Sequence, residues 1–286
     1  MLGKGLQVLI ALGGHPEGVS VSRLAEELGF PVSTTHRLLQ AMVPAGFVNL
    51  DDERRAYGLG LTVFQLSHQV ARVRTLSELA LPVLRRITEV SGEQTLLSVR
   101  QGHDLVYLEK VEGRHQIRNH ADVGQRGHLH SSSMGKAMLA WLPEDERAEV
   151  VAGLRLVRHS PNTITDRRRL MGELEATRRR GWAVNEEENE EGIRSRGLPV
   201  IGPRGRPVCA ICVTAPVFRC SREQMDSYVP LMQELVREME ARLPRGGAPA
   251  IAGRPDGDES RAGRAPLRQS DTIGQPDQGV GGRPRP

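Results

Sequence analysis

The sequence predicts an α+β fold in which a winged helix-turn-helix precedes a linker helix and an antiparallel sheet flanked by helices. Three observations predict it. Val21, Leu24, Ala25 and Leu28 recur at helical spacing and stop at Gly29, and a second amphipathic stretch follows almost at once. Runs with strand character at 94–100, 104–111, 194–200 and 206–215 are joined in pairs by the turns Gln101-Gly102-His103 and Gly202-Pro203-Arg204-Gly205. Helical stretches at 76–90 and 166–180, with a closing helix after Ser221, supply layers to cover such a sheet.

The first apolar stripe makes a two-turn helix that Gly29 ends in a left-handed conformation. The second helix starts near Pro31 or Val32, turning Thr35, Leu38, Leu39 and Met42 inward and Ser33, His36, Arg37 and Gln40 outward. Two short helices across a Gly-containing turn are the geometry that lays the second helix in a DNA major groove. The residue types suit that surface: the hydroxyls of Ser22, Ser33 and Thr34 bond phosphates or base edges, and Arg37 suits a bidentate contact to phosphate or guanine. Phe47 to Leu50 and Tyr57 to Leu59 then flank a charged turn, a hairpin with Arg54 and Arg55 near its tip that forms the wing. The structural alternative is a helical hairpin packed inside some other domain.

These boundaries give a winged unit at 1–61, a linker helix at 62–75 and a second domain at 76–244. In that domain the helix at 76–90 carries Leu79, Val83, Leu84, Ile87 and Val90 near helical spacing, and a further extended piece is expected around 116–121. Helices are expected from Met134, over 143–152 and over 166–180, with a strand at 182–187. The closing helix begins at a capping box, Ser221-x-x-Gln224, and presents Met225, Val229, Met232, Val236 and Met239.

At 286 residues the chain holds two domains with proper cores. Its net charge of +4 does not announce nucleic acid, and residues 1–74 hold seven basic and six acidic side chains. Attraction to DNA therefore rests on a few placed arginines, doubled by dimerisation. No apolar signal segment opens the chain and no run of 18 apolar residues occurs, so a cytoplasmic protein without a membrane partner is expected. Cys209 and Cys212 stand three apart on a strand, pointing to opposite faces, which makes a poor metal or redox pair. Nine Gly and six Pro among residues 245–286 mark a disordered tail.

Two further segments complete a pattern: Gly124-Gln-Arg-Gly-His-Leu-His130-Ser-Ser-Ser-Met-Gly135-Lys136-Ala137, and Arg180-Gly181-Trp-Ala-Val-Asn185-Glu-Glu-Glu-Asn-Glu-Glu-Gly192-Ile-Arg-Ser195-Arg-Gly-Leu-Pro199. With the winged unit and linker helix they resemble the IclR family of bacterial transcriptional regulators, over about Gly3 to Leu243. The resemblance implies a GAF-like α/β effector-binding domain and dimers or tetramers on double-stranded promoter DNA. It also implies a small organic acid or aromatic metabolite as effector, altering DNA affinity or contact with RNA polymerase. A repressor of a catabolic or metabolic operon is the expected form. It further implies that backbone amides matching Ser133 and Met134 hold a small carboxylate at a helix N-terminus. Polar groups match Asn185, where Asp is usual, and Ser195, where Cys is usual, while Gly127 and Asn119 match pocket walls and His128 replaces a Pro.

The acids of 186–191 are expected to be a solvated loop, with a pocket rim or subunit contact as the alternative. His128, His130 and Glu109 carry no strong metal spacing, and neither a metal nor another cofactor is expected. Ser133-Met-Gly-Lys136 matches the S-x-x-K of serine acyltransferases, yet no lysine follows Lys136 to supply their K-T-G element. The remaining rival is a GAF-like small-molecule enzyme or sensor using Glu109 and His130 as acid and base. A second domain that serves a DNA-binding unit needs differential affinity between two states and no chemistry, so binding alone is expected.

Overall fold

The computed structural model describes residues 1–51, 53–68, 71–116 and 121–244. The expected disordered tail, most of the expected extended piece at 116–121, and Asn119 lie outside those residues. The chain opens with helix α1 (Leu2–Leu12), which sequence patterning overlooked because Gly3 and Gly5 weaken its helical signal. Val8 and Leu12, one turn apart, drop into a small core with Val19, Leu24, Leu39, Val48 and Tyr57.

Helices α2 (Val21–Leu28) and α3 (Val32–Met42) form the expected pair. Ser20 caps α2 by accepting the Arg23 amide, and Gly29 closes it at φ 64°, where a side chain would be strained. Strands β1 (Val48–Asp51) and β2 (Ala56–Leu59) make the antiparallel wing, and Val19 adds a bridge to Tyr57. Helices α4 (Leu61–His68) and α5 (Ala71–Ser91) follow, so the expected linker boundary at 75 falls inside α5. Leu76, Ala80, Val83, Leu84 and Ile87 are buried on α5, whereas Val90, expected on that face, is exposed.

The second domain is built on an antiparallel sheet of β3 (Gln94–Gln101), β4 (Asp104–Val111), β5 (Arg126–His128), β6 (Ala183–Glu186), β7 (Ile193–Ile201) and β8 (Pro207–Pro216). Their order across the sheet is β5-β4-β3-β8-β7-β6. Three residues are too few to show a strand period, so β5 was legible only through its pairing with β4. Helices α6 (Ser133–Ala140), α7 (Glu144–Gly153) and α8 (Arg167–Arg180) contribute to a core with Leu96, Leu105, Tyr107, Ala210 and Cys212. On the reverse face α5, α9 (Arg222–Ser227) and α10 (Val229–Ala241) meet Leu97, Leu198, Val200, Cys209 and Ile211. Cys209 and Cys212 thus face opposite layers, as strand geometry requires.

The closing helix is two helices. Ser221 accepts the Gln224 amide as the cap of α9, but Pro230 near the start of α10 offers no N–H to a continuous ladder. Met225, Val229, Met232, Val236 and Met239 are nonetheless all buried.

The acidic run departs from the expected solvated loop. Glu186 meets Arg194 at 3.3 Å, Arg196 at 2.8 Å and Arg222 at 3.1 Å. Glu188 is buried, with Oε1 2.5 Å from the fully buried Lys136 Nζ. The Ser160 and Thr163 hydroxyls donate to the Glu187 and Glu188 carbonyls, and Ser131 donates to Asn189. Only Glu190 and Glu191 keep the expected exposure. Lys136 and Arg222 reach the run from distant segments, and Arg194 and Arg196 reach Glu186 from the neighbouring strand, pairings that local composition does not reveal.

Removing one partner of the Lys136–Glu188 pair leaves a buried charge. Lys136→Met is expected to cost about 3–5 kcal/mol in urea unfolding of the full chain, while adding Glu188→Leu restores most of it. An equal loss in the double variant would contradict this account.

Candidate functional site

The expected DNA-facing residues of the winged unit are exposed or half-buried. Ser33, His36, Arg37 and Gln40 are exposed along α3, Thr34 is half-buried beside them, and Ser22 is exposed on α2. Thr35 and Leu39 anchor the opposite face at 0% exposure, so the polar face has one orientation open to it. Arg54 and Arg55 are exposed in the wing turn, with Arg55 at φ 50°. Arg54 reaches Asp51 at 3.8 Å and Glu17 at 4.0 Å, exposed pairs weak enough for phosphates to displace. Gln40 also ties α3 to the wing, because its amide donates to the Tyr57 hydroxyl at 3.2 Å. Arg23, exposed on α2, is a cation the sequence expectation omitted.

In the second domain Ser133, Met134 and Ser195 of the expected effector residues come together where α6 begins, and Asn185 pairs beside Ser195 across the strands. Ser132 caps that helix by accepting the Gly135 amide, leaving the Ser133 and Met134 amides at the positive end of the helix dipole. The Ser133 and Ser195 hydroxyls are hydrogen-bonded at 2.7 Å. This approach depends on Gly197, where a Cβ would stand 2.6 Å from the Ser133 carbonyl carbon. Burial pushes the pKa of the Cys212 thiol up to about 12, against a smaller lowering from the neighbouring Ser133. Ser98 donates to the Met134 sulfur at 3.2 Å. Gly127 lies against the Tyr107 phenol, whose pKa is raised by burial first and then by Cys212 and Glu190.

Asn185 pairs across the strands with Ser195 and is buried, but its Oδ1 accepts the Glu188 amide at 2.8 Å. Its amide therefore shapes the acidic turn, and burial raises the Glu188 carboxyl despite the opposing Lys136 ammonium. Sequence reasoning missed Ser98, Tyr107, Cys212 and Thr214 around this cluster. The available signal was the strand period: Ser98 shares a face with Leu96, and Thr214 with Cys212.

His130 and Glu109 do not form an acid–base pair. His130 Nε2 bonds the Val157 carbonyl at 2.9 Å, and His128 stacks on His159 with centroids 4.0 Å apart. Among the described residues no hydrogen bond or ion pair joins Glu109 to His130. Burial lowers the pKa of all three histidines, and His128, also facing His159 and His130, is held at about 4 against a weak opposing pull from Asp104. Among the described residues no group of three or more ligating side chains could hold a metal ion.

A winged helix-turn-helix carried with a separate domain that gathers buried polar groups at a helix N-terminus defines a DNA-binding regulator. The family models agree with each part: the IclR helix-turn-helix domain matches residues 1–52, and the bacterial transcriptional regulator IclR C-terminal domain matches 68–241. The chain belongs to the IclR family of bacterial transcriptional regulators, and it is a regulator and not an enzyme.

The HTH-type transcriptional repressor AllR of Salmonella typhimurium strain LT2 is 30% identical over 251 residues, which is 88% of this chain and 92% of that protein. The HTH-type transcriptional regulator KdgR of Escherichia coli K12 is 28% identical over 236 residues, 82% and 89% of the two chains. The crystal structure of Thermotoga maritima IclR superposes with a TM-score of 0.69 at 31% identity, covering 85% of this chain and 98% of its own. Among the described residues no helix is long and apolar enough to cross a membrane.

The histidine shifts set a pH dependence. An unfolded His binds a proton below its ordinary value of 6.5, whereas folded His128 stays neutral down to about 4, so the unfolded state carries the extra proton in that window. Stability is expected to fall as pH drops from 6.5 towards 4, and His128→Phe, which keeps the stacking, flattens that fall. A melting curve for His128→Phe as steep in pH as the parent's would contradict the assignment.

Proposed function

We propose that this chain is a ligand-responsive repressor of a catabolic or metabolic operon, with a small organic acid or aromatic metabolite as effector. The observation that carries it is the convergence of the Ser133 and Met134 amides, the Ser133–Ser195 hydroxyl pair and Asn185 at the α6 N-terminus. Unpaired N–H groups and a helix dipole favour an anion there, and no acidic side chain stands among those four residues to oppose it. Repression is the role of the AllR relative, and it is carried over to this chain on that likeness.

The departures at Asn185 and Ser195 keep hydrogen bonding while changing charge and size, so the effector's identity is not carried over from relatives with Asp and Cys there. Operator binding is by a homodimer or tetramer in the cytoplasm, on a promoter palindrome whose half-sites lie a helical turn or more apart. Exposed Leu2, Leu6 and Ile10 recur every fourth residue on α1, and exposed Leu61 and Phe64 on α4 flank an apolar groove with Val43 and Val48. Such surfaces on a chain with few placed cations support self-association as the source of tight binding. Effector binding shifts the population of dimer or tetramer arrangements, and with it operator affinity or contact with RNA polymerase; DNA must change effector affinity by the same factor.

Two measurements test this function. Arg37→Ala is expected to weaken operator binding by roughly 1–3 kcal/mol in a gel shift, and undiminished affinity would remove α3 from its recognition role. A thermal-shift screen of small acids identifies an effector, for which Ser195→Val is expected to lose about tenfold in affinity. Parental affinity in Ser195→Val would move the effector site elsewhere.

A further inference from the structure

Gln94 is the least explained polar group in the second domain. It opens β3 at 2% exposure, and neither its Oε1 nor its Nε2 has a hydrogen-bond partner among the described residues. Burying a carboxamide with both ends unpaired costs free energy that an apolar residue of the same size would not. Its place in the sheet is specific. Gln94 pairs with Thr214, Thr214 pairs with Ser195, and Ser195 pairs with Asn185, giving one cross-strand row over β3, β8, β7 and β6.

That row lies on the α6 side of the sheet. Leu96, two residues beyond Gln94 and therefore on the same face, packs in the core formed with Met134 and Ala137 of α6. Ser195 in the row touches Ser133 at the start of α6. Thr214 is already engaged, donating to the Arg194 carbonyl at 3.3 Å, and Asn185 accepts the Glu188 amide. Gln94 alone in the row offers a donor and an acceptor that no described residue uses. It stands two strands from Ser195, about 10 Å at the usual interstrand spacing.

We infer that Gln94 is the specificity-determining residue of the effector site, binding a hydroxyl group on a small carboxylic acid whose carboxylate lies at the α6 N-terminus. This rests on the effector site proposed above and names the class of acid it takes. A hydroxyl both donates and accepts, so it satisfies the two unpaired ends of the carboxamide, whereas an acid lacking that group leaves them buried and empty. A site built to bond a hydroxyl rejects the analogue without it far more strongly than an apolar pocket rejects an added one.

The test uses the full chain and matched acids: glycerate against propionate, tartrate against succinate, and 4-hydroxybenzoate against benzoate, with affinities from calorimetry and thermal shift. The parent protein is expected to bind at least one hydroxylated acid about tenfold or more tightly than its deoxy partner. In Gln94→Leu the two members of that pair are expected to bind within about twofold of each other, and the ligand-free melting temperature rises because an orphaned buried amide is gone. Parental discrimination in Gln94→Leu, a lowered ligand-free melting temperature, or a parent that binds none of the hydroxylated acids overturns the inference.

Ser195→Val separates the two levels. If it loses the acids while Gln94→Leu keeps parental discrimination, the site stands and Gln94 has no part in selecting the ligand. If Ser195→Val binds every acid with parental affinity, the site itself is elsewhere and the inference falls with it.

Discussion

The buried contact between Lys136 and Glu188 is the constraint on which the second domain's architecture turns. A lysine with no exposure, one turn into α6, is tenable only if a carboxylate reaches it, and Glu188 does so from a turn 52 residues later in the chain. That demand draws the acidic segment inward, where the hydroxyls of Ser131, Ser160 and Thr163 bind its side chains and carbonyls. The same closure sets the start of α6 against β7, with Gly197 providing the room, and so brings Ser133 to Ser195. An ion pair of this kind contributes little net stability over apolar packing, but it penalises every arrangement that separates its members.

The sheet then divides the work between its faces. On one side α5 buries Leu76, Ala80, Val83, Leu84 and Ile87 in a layer with Leu97 and Ile211; on the other, α6 covers Leu96, Ala210 and Cys212. Because successive residues of β3 and β8 alternate between layers, the strands that carry Gln94, Ser98 and Thr214 also form the floor under α5. α5 itself runs without a break from Ala71 to Ser91, so the end of the linking segment and the first helix of the second domain are one element. The polar groups facing α6 and the helix α5 are therefore attached to opposite faces of the same strands.

The winged unit was legible almost residue by residue because its signals are local. The stripe of Val21, Leu24, Ala25 and Leu28, the left-handed Gly29 and the two hairpin strands around a charged turn each lie within a few residues of what they specify. Where patterning failed there, the causes are physical too: Gly3 and Gly5 dilute α1, and Gln40's bond to Tyr57 depends on a contact 17 residues away. In the second domain the long strands and helices carried their own periods. The three-residue β5 did not, nor did the break at Tyr228 between α9 and α10, where a capping signal and an apolar stripe ran on through Pro230.

By itself, then, the sequence determined the class of fold, the polar face of the recognition helix, the two strand-borne cysteines that face apart and the family to which the chain belongs. Those properties rest on backbone geometry and periods of two and 3.6 residues, which act over a few positions. Only the tertiary structure decided that Glu186 and Glu188 of the acidic run are paired with cations and partly or fully buried, that Asn185 supports a turn, and that His130 bonds a carbonyl and does not pair with Glu109. It alone placed Gln94 and Thr214 in one row with Ser195. Cross-strand register and charge pairing, as in Gln94 with Thr214 and Lys136 with Glu188, join residues from different elements, and no local pattern records which of them will meet.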